Sequence, residues 1–140
     1  RAAVDRYLDP VLAGRDPARL HPLGADLDCR SRAFRLDADI EAHLSGIDAV
    51  LNCAGPFERT ADPLVEACLS RGVDYLDITG ELPVFERLAR RDGEARDADV
   101  TLMPGVGYDV VPTDSLAAHL HQRLPEATHL ALALSADGSL

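Results

Sequence analysis

An arginine that follows a short apolar run near the start of the chain could bind a phosphate. Residues 10–14 end in Gly14, and Arg15 and Asp16 come next. A guanidinium offers a planar fork of donors that matches phosphate oxygens. The alternative is a solvated arginine at the start of a helix, with Asp16 as its N-cap. We favour phosphate binding because the rest of the chain follows a matching pattern.

A second candidate binding segment is the run of small residues at the end of the strand predicted over residues 47–54. Small side chains let a backbone approach a flat ligand closely, whereas larger ones would collide with it. The alternative is a simple tight turn after a buried strand. The cysteine of this run is more typical of a packed small side chain than of a nucleophile. The candidates are Asn52, Cys53, Ala54, Gly55, Pro56 and Phe57.

Three polar residues are candidates for acid–base chemistry. Glu81 follows Thr79 and Gly80, and it could reach a ligand or sit at a helix N-terminus, where the dipole favours a carboxylate. Tyr108 could donate a proton, and Asp109 could act as a base or organise hydrogen bonds. The alternative for this pair is a structural loop in which the aspartate bonds its own backbone.

The residue types of metal sites, disulfides and Schiff bases are scattered or absent. His119 and His121 lie two apart on a predicted helix, so they point to different sides. The 3 cysteines contain no CxxC pair, and none of the 14 basic residues is a lysine. We therefore predict no metal site, no disulfide framework and no lysine chemistry.

Strands and helices that alternate along the chain must position these candidates. Strands are predicted over residues 10–14, 27–36, 47–54, 73–78, 100–103 and 128–134. Residues 1–8 are predicted to be the tail of a helix. Further helices are predicted over 17–20 and 39–44, from Asp62-Pro63 to 72, from Pro83 with an interruption at Gly93, and from Thr113 to 124. Such alternation with short connections predicts an α/β fold with a parallel sheet. Ligands bind at the carboxyl ends of such strands, where the candidates cluster.

The position of Arg15 points to one cofactor. In a dinucleotide-binding sheet the second strand ends beside the adenosine ribose, where an acidic residue suits NAD and an arginine accommodates the 2′-phosphate of NADP. Arg15 stands where that arginine would stand. A charge-assisted contact of about 1.5–3 kcal/mol corresponds to a preference for NADP of about ten- to a hundredfold.

Composition excludes several other classes of protein. The chain has 140 residues, 46% of them hydrophobic, and a formal net charge of −10. This acidity disfavours nucleic acid and anionic membrane surfaces as partners. No apolar run approaches the ~18 residues that a membrane span needs. Cysteine usage and the absence of a signal-peptide pattern lead us to expect a cytoplasmic protein.

Five blocks of sequence together resemble the NADP-binding domain of saccharopine dehydrogenase-like oxidoreductases, nearest the branch of the bacterial trans-acting enoyl reductases. The blocks occur in the family's order and spacing over nearly the whole chain, and they span residues 13–16, 52–57, 63–68, 74–81 and 104–114. The resemblance implies a Rossmann-like doubly wound sheet that binds NADP. It also implies that Asp37, at the end of the third strand of that fold, meets the adenine.

The resemblance further implies that part of the family's fold is missing from this sequence. The family begins with a strand and a Gly-x-x-Gly-x-x-Gly turn that binds the pyrophosphate, and neither occurs here. In the strand order 3-2-1-4-5-6 the missing strand is central. We therefore expect residues 1–127 to be a partial NADP-binding domain. Residues 128–140 would begin a substrate or dimerisation domain, through which any homodimer would form.

Departures from the family pattern leave the substrate open. Residues 106–110 read VGYDV where Cys-Gly-Phe-Asp-Ser is frequent, and Thr60 and Ala61 stand where Tyr and Gly are common. We expect an NADP-dependent oxidoreductase that acts on a small or lipid-linked substrate. The alternatives are a non-catalytic nucleotide-binding or interaction module, or an inactive truncated fragment.

Overall fold

Five strands alternate with six helices in the computed structural model, which describes residues 3–37 and 39–133. The strands are β1 (Val11–Gly14), β2 (Arg30–Ala33), β3 (Ala49–Asn52), β4 (Asp74–Asp77) and β5 (Leu102–Met103). The helices are α1 (Pro17–Leu27), α2 (Ile40–His43), α3 (Phe57–Arg71), α4 (Leu82–Arg90), α5 (Asp92–Asp97) and α6 (Val111–Arg123). Each strand is followed by a helix, as parallel pairing requires.

All the strand pairs are parallel, and they form two sheets. β1 pairs with β2, and β4 lies between β3 and β5. Within residues 3–37 and 39–133 no ladder joins β1 to β3. In the expected strand order 3-2-1-4-5-6, strand 1 separates a pair of strands from a group of three. The two sheets correspond to this pair and this group. The carboxyl ends of neighbouring strands therefore lie side by side in each sheet.

The main core lies between the three-stranded sheet and helices α3 and α4. Val65 and Cys68 of α3, Tyr75 of β4 and Val84 of α4 are fully buried. Burial raises the pKa of the Cys68 thiol to about 12, and the charge of Asp74 adds to the effect. Cys68 is therefore a neutral, packed side chain.

The predicted start of α3 at Asp62-Pro63 is wrong. The helix begins at Phe57, and Pro63 lies inside it. The cap-plus-proline signal is local, whereas the actual N-terminus takes its hydrogen-bond acceptors from Glu81, which is 24 residues from Phe57 in sequence. A tertiary contact thus starts the helix earlier than the local pattern indicates.

Helix boundaries elsewhere also differ from the predictions. α1 runs to Leu27 with Pro22 inside it, and the α-helical tail predicted for residues 1–8 is a 3-10 turn at Val4–Arg6 in its described part. The interruption after α4 falls at Arg91, and Gly93 lies inside α5.

Two predictions near the carboxyl end of the chain are also wrong. Thr113 does not cap α6, because its hydroxyl donates to the carbonyls of Asp109 and Val110 and the helix has already begun. Residues 128–133 form no strand, and Leu130 and Leu132 are about half exposed. Residues 134–140 lie outside the described residues, and the domain boundary near 127 remains a prediction.

Candidate functional site

The candidate residues of the three-stranded sheet meet at its carboxyl edge. The register places Asn52 opposite Asp77 and Leu76 opposite Met103, so the loops after β3, β4 and β5 are neighbours. The structure brings Asn52, residues 53–57 and Glu81 together at this edge. Arg15 and Asp37 follow the two strands of the other sheet.

Asn52 is buried, and its amide is fully used inside the protein. Its Nδ2 donates to the hydroxyls of Thr60 at 3.2 Å and Tyr75 at 3.1 Å. Its Oδ1 accepts from the backbone N–H of Ala54 at 3.0 Å. The Thr60 hydroxyl donates to the Ala54 carbonyl at 2.6 Å. The Asn52 side chain therefore anchors the start of the candidate loop.

A buried carboxylate links the neighbouring loops. Asp77 accepts from the Tyr75 hydroxyl at 2.9 Å through Oδ2, and from the N–H groups of Thr79 and Gly105, both at 3.0 Å, through Oδ1. Burial raises the pKa of Tyr75, and the hydrogen bond to Asp77 raises it further against the opposing effect of Asn52. Tyr75 is therefore a neutral phenol that donates to Asp77 and accepts from Asn52.

The Glu81 carboxylate caps a helix other than its own. It lies just before α4, yet Oε1 accepts from the N–H of Phe57 at 2.8 Å and Oε2 from that of Glu58 at 2.7 Å, at the N-terminus of α3. The N–H of Glu81 donates to the hydroxyl of Thr79 at 3.0 Å. Both carboxylate oxygens are thus engaged by the backbone.

Residues 53–56 are exposed between these two anchors, and Phe57 is half-buried. A Cβ built on Gly55 would have nothing closer than the Phe57 ring at 3.7 Å. This small-residue surface can accept a flat ring at close range. Desolvation raises the pKa of the Cys53 thiol above its ordinary value, so the thiol is protonated at neutral pH. Cys53 therefore contributes a small side chain rather than a thiolate nucleophile.

Arg15 lies exposed directly after β1. The neighbouring Asp16 is occupied as the N-cap of α1, where it accepts from the N–H of Ala18 at 3.0 Å. Asp37, at the turn after β2, pairs with Arg35 at 3.2 Å and is exposed. The exposed Arg15 guanidinium has the chemistry to bind a phosphate. The exposed small residues 53–56 leave room for a flat ring.

The two candidates after β5 are also at the surface. The Tyr108 residue is 85% exposed. The Asp109 carboxylate lies close to two glycines. A Cβ added to Gly80 would be 3.4 Å from its Oδ2, and a Cβ added to Gly107 would be 2.8 Å from its Oδ1. A side chain at Gly107 would displace this carboxylate. Asp109 thus lies beside the loop that carries Glu81.

Sequence reasoning missed Tyr75, Asp77 and Thr79 as residues that organise the site. All three are fully buried. The available signal was the presence of polar residues within the otherwise apolar segment at 73–79. A polar group placed in a buried strand must find hydrogen-bond partners.

Within residues 3–37 and 39–133, no group of three or more His, Cys, Asp or Glu side chains is arranged to hold a metal ion. In those ranges no helix combines the length and hydropathy that crossing a bilayer requires.

Comparisons with known proteins identify the family to which this domain belongs. The family model of the saccharopine dehydrogenase NADP-binding domain matches residues 2–103. A trans-acting enoyl reductase of Mycobacterium ulcerans is 32% identical over 124 residues, covering 83% of this chain and 30% of the relative. The corresponding protein of Mycobacterium leprae is 34% identical over 126 residues, with the same coverage. The chain thus spans about a third of the length of these curated relatives.

A solved structure shows the same fold. Apo saccharopine dehydrogenase (L-Glu forming) of Saccharomyces cerevisiae superposes with a TM-score of 0.75 at 16% identity, covering 89% of this chain and 27% of that one. This likeness and the parallel strands confirm the predicted Rossmann-like α/β class. The family model covers most of the chain and confirms NADP as the cofactor. The chain therefore belongs to the saccharopine dehydrogenase NADP-binding domain family.

Proposed function

We propose that this chain is the cofactor-binding part of an NADP-dependent oxidoreductase, in which Arg15 binds the adenosine 2′-phosphate and residues 52–57 line the ribose and nicotinamide. The observation that carries the proposal is the exposed Arg15 guanidinium at the carboxyl end of β1, within a family domain that binds NADP. When bound, the nicotinamide supplies the hydride. Asp37 would lie near the adenine, as its place after β2 suggests.

The chain's own residues have distinct tasks in this proposal. Arg15 supplies positive charge and paired donors, which an NADH ribose without the 2′-phosphate does not use. Residues 53–56 present a small, exposed surface, and Asn52 holds that surface from below through the N–H of Ala54. Tyr108 and Asp109 lie on the neighbouring loop, and in this proposal they are the candidate proton donor and base.

The names of relatives support a proposal for the substrate class. Several relatives are called trans-acting enoyl reductases, so we propose reduction of an enoyl group on a small or lipid-linked substrate. A non-catalytic nucleotide-binding module is the alternative. Turnover of NADPH with an enoyl substrate distinguishes the enzyme from the binding module. The loss of the absorbance of the reduced nicotinamide measures this turnover. NADPH binding without turnover across enoyl, carbonyl and imine substrates favours the binding module.

Arg15→Ala tests the cofactor assignment in the complete protein that the gene encodes. Because a charge-assisted contact is worth about 1.5–3 kcal/mol, we expect the preference for NADPH over NADH to fall by about ten- to a hundredfold. Titration of nicotinamide fluorescence with each cofactor measures it. Arg71→Ala is the matched control, since Arg71 is exposed at the C-terminal end of α3, before the amino end of β4. An unchanged preference in Arg15→Ala would overturn the assignment.

A further inference from the structure

We propose that Glu81 is a positioning residue for the nicotinamide half of the cofactor, acting through the backbone of residues 53–57 rather than by touching the cofactor. This inference rests on the proposed function and names a residue that sets the geometry of the same site. The juxtaposition that supports it joins the loop after β4 to the start of α3, two segments 24 residues apart in sequence.

The geometry gives Glu81 a specific mechanical task. Its carboxylate receives two backbone N–H groups, those of Phe57 and Glu58, at 2.8 and 2.7 Å. These amides are the first two of α3, where the helix dipole places partial positive charge. Charge-assisted bonds at this position are stronger than neutral ones. Glu81 therefore ties the end of the exposed loop to the sheet edge.

The same loop is tied at its other end by a different residue. Asn52 accepts from the N–H of Ala54 and is itself held by Tyr75. Only residues 53–56 are left exposed between the two ties. Removing the Glu81 tie should loosen the end nearest α3 while leaving the Asn52 tie in place.

Glu81 also decides what the N-terminus of α3 can bind. A helix N-terminus attracts phosphate through free N–H groups. Here the protein's own carboxylate engages the first two of those groups. A phosphate of the cofactor is thus kept away from α3, and the segment is left to the nicotinamide ring, which carries no negative charge.

The adenosine half of the site is held by other elements. Arg15 follows β1, which pairs with β2 in the separate two-stranded sheet. Loss of the Glu81 tie should therefore affect ligands that carry a nicotinamide and spare those that carry only the 2′-phosphorylated adenosine. A general loss of folding would affect both kinds of ligand alike.

The test compares two ligands with variants of the complete protein. Adenosine 2′,5′-bisphosphate has the 2′-phosphate but no nicotinamide, and NADPH has both. In Glu81→Ala we expect NADPH affinity to fall about tenfold, as for the loss of a helix cap, and affinity for the bisphosphate to stay within about twofold. Isothermal titration calorimetry measures both ligands. Hydrogen exchange should accelerate at the amides of Phe57 and Glu58 in the ligand-free protein.

Two further variants complete the design. Glu81→Gln keeps one side-chain oxygen as an acceptor, so it should recover part of the NADPH affinity. If the alanine variant does not fold, the glutamine variant takes its place in the comparison of the two ligands. Glu86→Ala is the matched control, because Glu86 lies on α4 and pairs at the surface with Arg90 at 3.8 Å. We expect wild-type affinity for both ligands in the control.

The outcomes separate this inference from the proposed function. Equal losses for both ligands, or no loss for either, overturn the positioning role while NADPH binding by the wild type still supports the function. Faster exchange at Phe57 and Glu58 without a selective loss of NADPH also overturns it. A wild-type protein that binds neither ligand overturns the proposed function and the inference together.

Discussion

At the scale of the residue, the hydroxyl of Tyr75 is where two parts of the candidate site meet. It accepts from Asn52 and donates to Asp77, and both neighbours are buried. Asn52 orients the loop after β3, whereas Asp77 holds backbone N–H groups of the loops after β4 and β5. One phenol group therefore couples three loops, and its raised pKa keeps it a donor.

Tyr75→Phe should lower the free energy of unfolding by about 1–3 kcal/mol. The change removes one hydroxyl and leaves two buried polar groups each short of a partner, which costs about this much. Denaturation in urea measures it. Tyr108→Phe is the control, since Tyr108 is 85% exposed and its loss of a hydroxyl should change stability by less than about 0.5 kcal/mol. Equal stability of the two variants would contradict a structural role for the buried hydroxyl.

At the scale of the element, loops and helix ends at the sheet edge depend on close backbone approach. Gly105 has φ of 74°, and a Cβ there would overlap the ring of Phe85. Its N–H reaches Asp77 at 3.0 Å. The glycine thus lets the loop after β5 turn toward the buried carboxylate. Gly93, in contrast, lies in α5 with nothing near its Cβ position.

Alanine substitutions at these two glycines should have opposite effects on stability. Gly105→Ala should destabilise by more than about 1–2 kcal/mol, the usual cost of the left-handed conformation, because the overlap with Phe85 adds to it. Gly93→Ala should stabilise by up to about 1 kcal/mol through helix propensity. Thermal and urea unfolding of both variants test this pair. Stabilisation by Gly105→Ala would show that the loop does not need this conformation.

At the scale of the whole molecule, the absence of lysine makes alkaline unfolding simple to interpret. Between about pH 9 and 12 the titrating side chains are cysteines and tyrosines, since arginine stays charged. The pKa of Cys68 is raised from 9.0 to about 12 by burial and Asp74, and that of Tyr75 is raised as well. The folded state therefore holds these protons more tightly than the unfolded state. Stability is fully present below about pH 9 and falls as pH rises toward 12.

Cys68→Ala should flatten this alkaline loss of stability. Each such group contributes up to about 1.4 kcal/mol per pH unit to the fall in the free energy of unfolding. Between about pH 9 and 11, the free energy of unfolding of the variant should therefore fall less steeply with pH than that of the wild type, by up to this amount. Guanidinium unfolding at several pH values, with a phosphine reductant, measures the slope. Val65→Ala is the control: it also opens a cavity in α3, but it should lower stability equally at every pH. Identical slopes for Cys68→Ala and wild type would contradict the prediction.

Local patterns in the sequence determined much of the fold and of the site's location. Apolar runs ended near glycine or proline predicted four of the five observed strands, and β2 lies within the more polar stretch predicted as a strand at 27–36. Strand–helix alternation predicted the parallel pairing. Because parallel strands place their carboxyl ends at one edge, the pattern also grouped residues 52–57 with Glu81. These inferences succeed because each depends on neighbours within a few residues.

The tertiary structure alone decided how the site is held. The start of α3 at Phe57 depends on Glu81, the inward orientation of Asn52 depends on Tyr75, and the loop after β5 depends on Asp77. Each of these contacts joins residues 23 to 28 positions apart. Such bonds form only after the strands pair, so no local pattern encodes them. The sequence by itself predicted a cofactor-binding edge, and packing decided that its buried polar residues hold the loops.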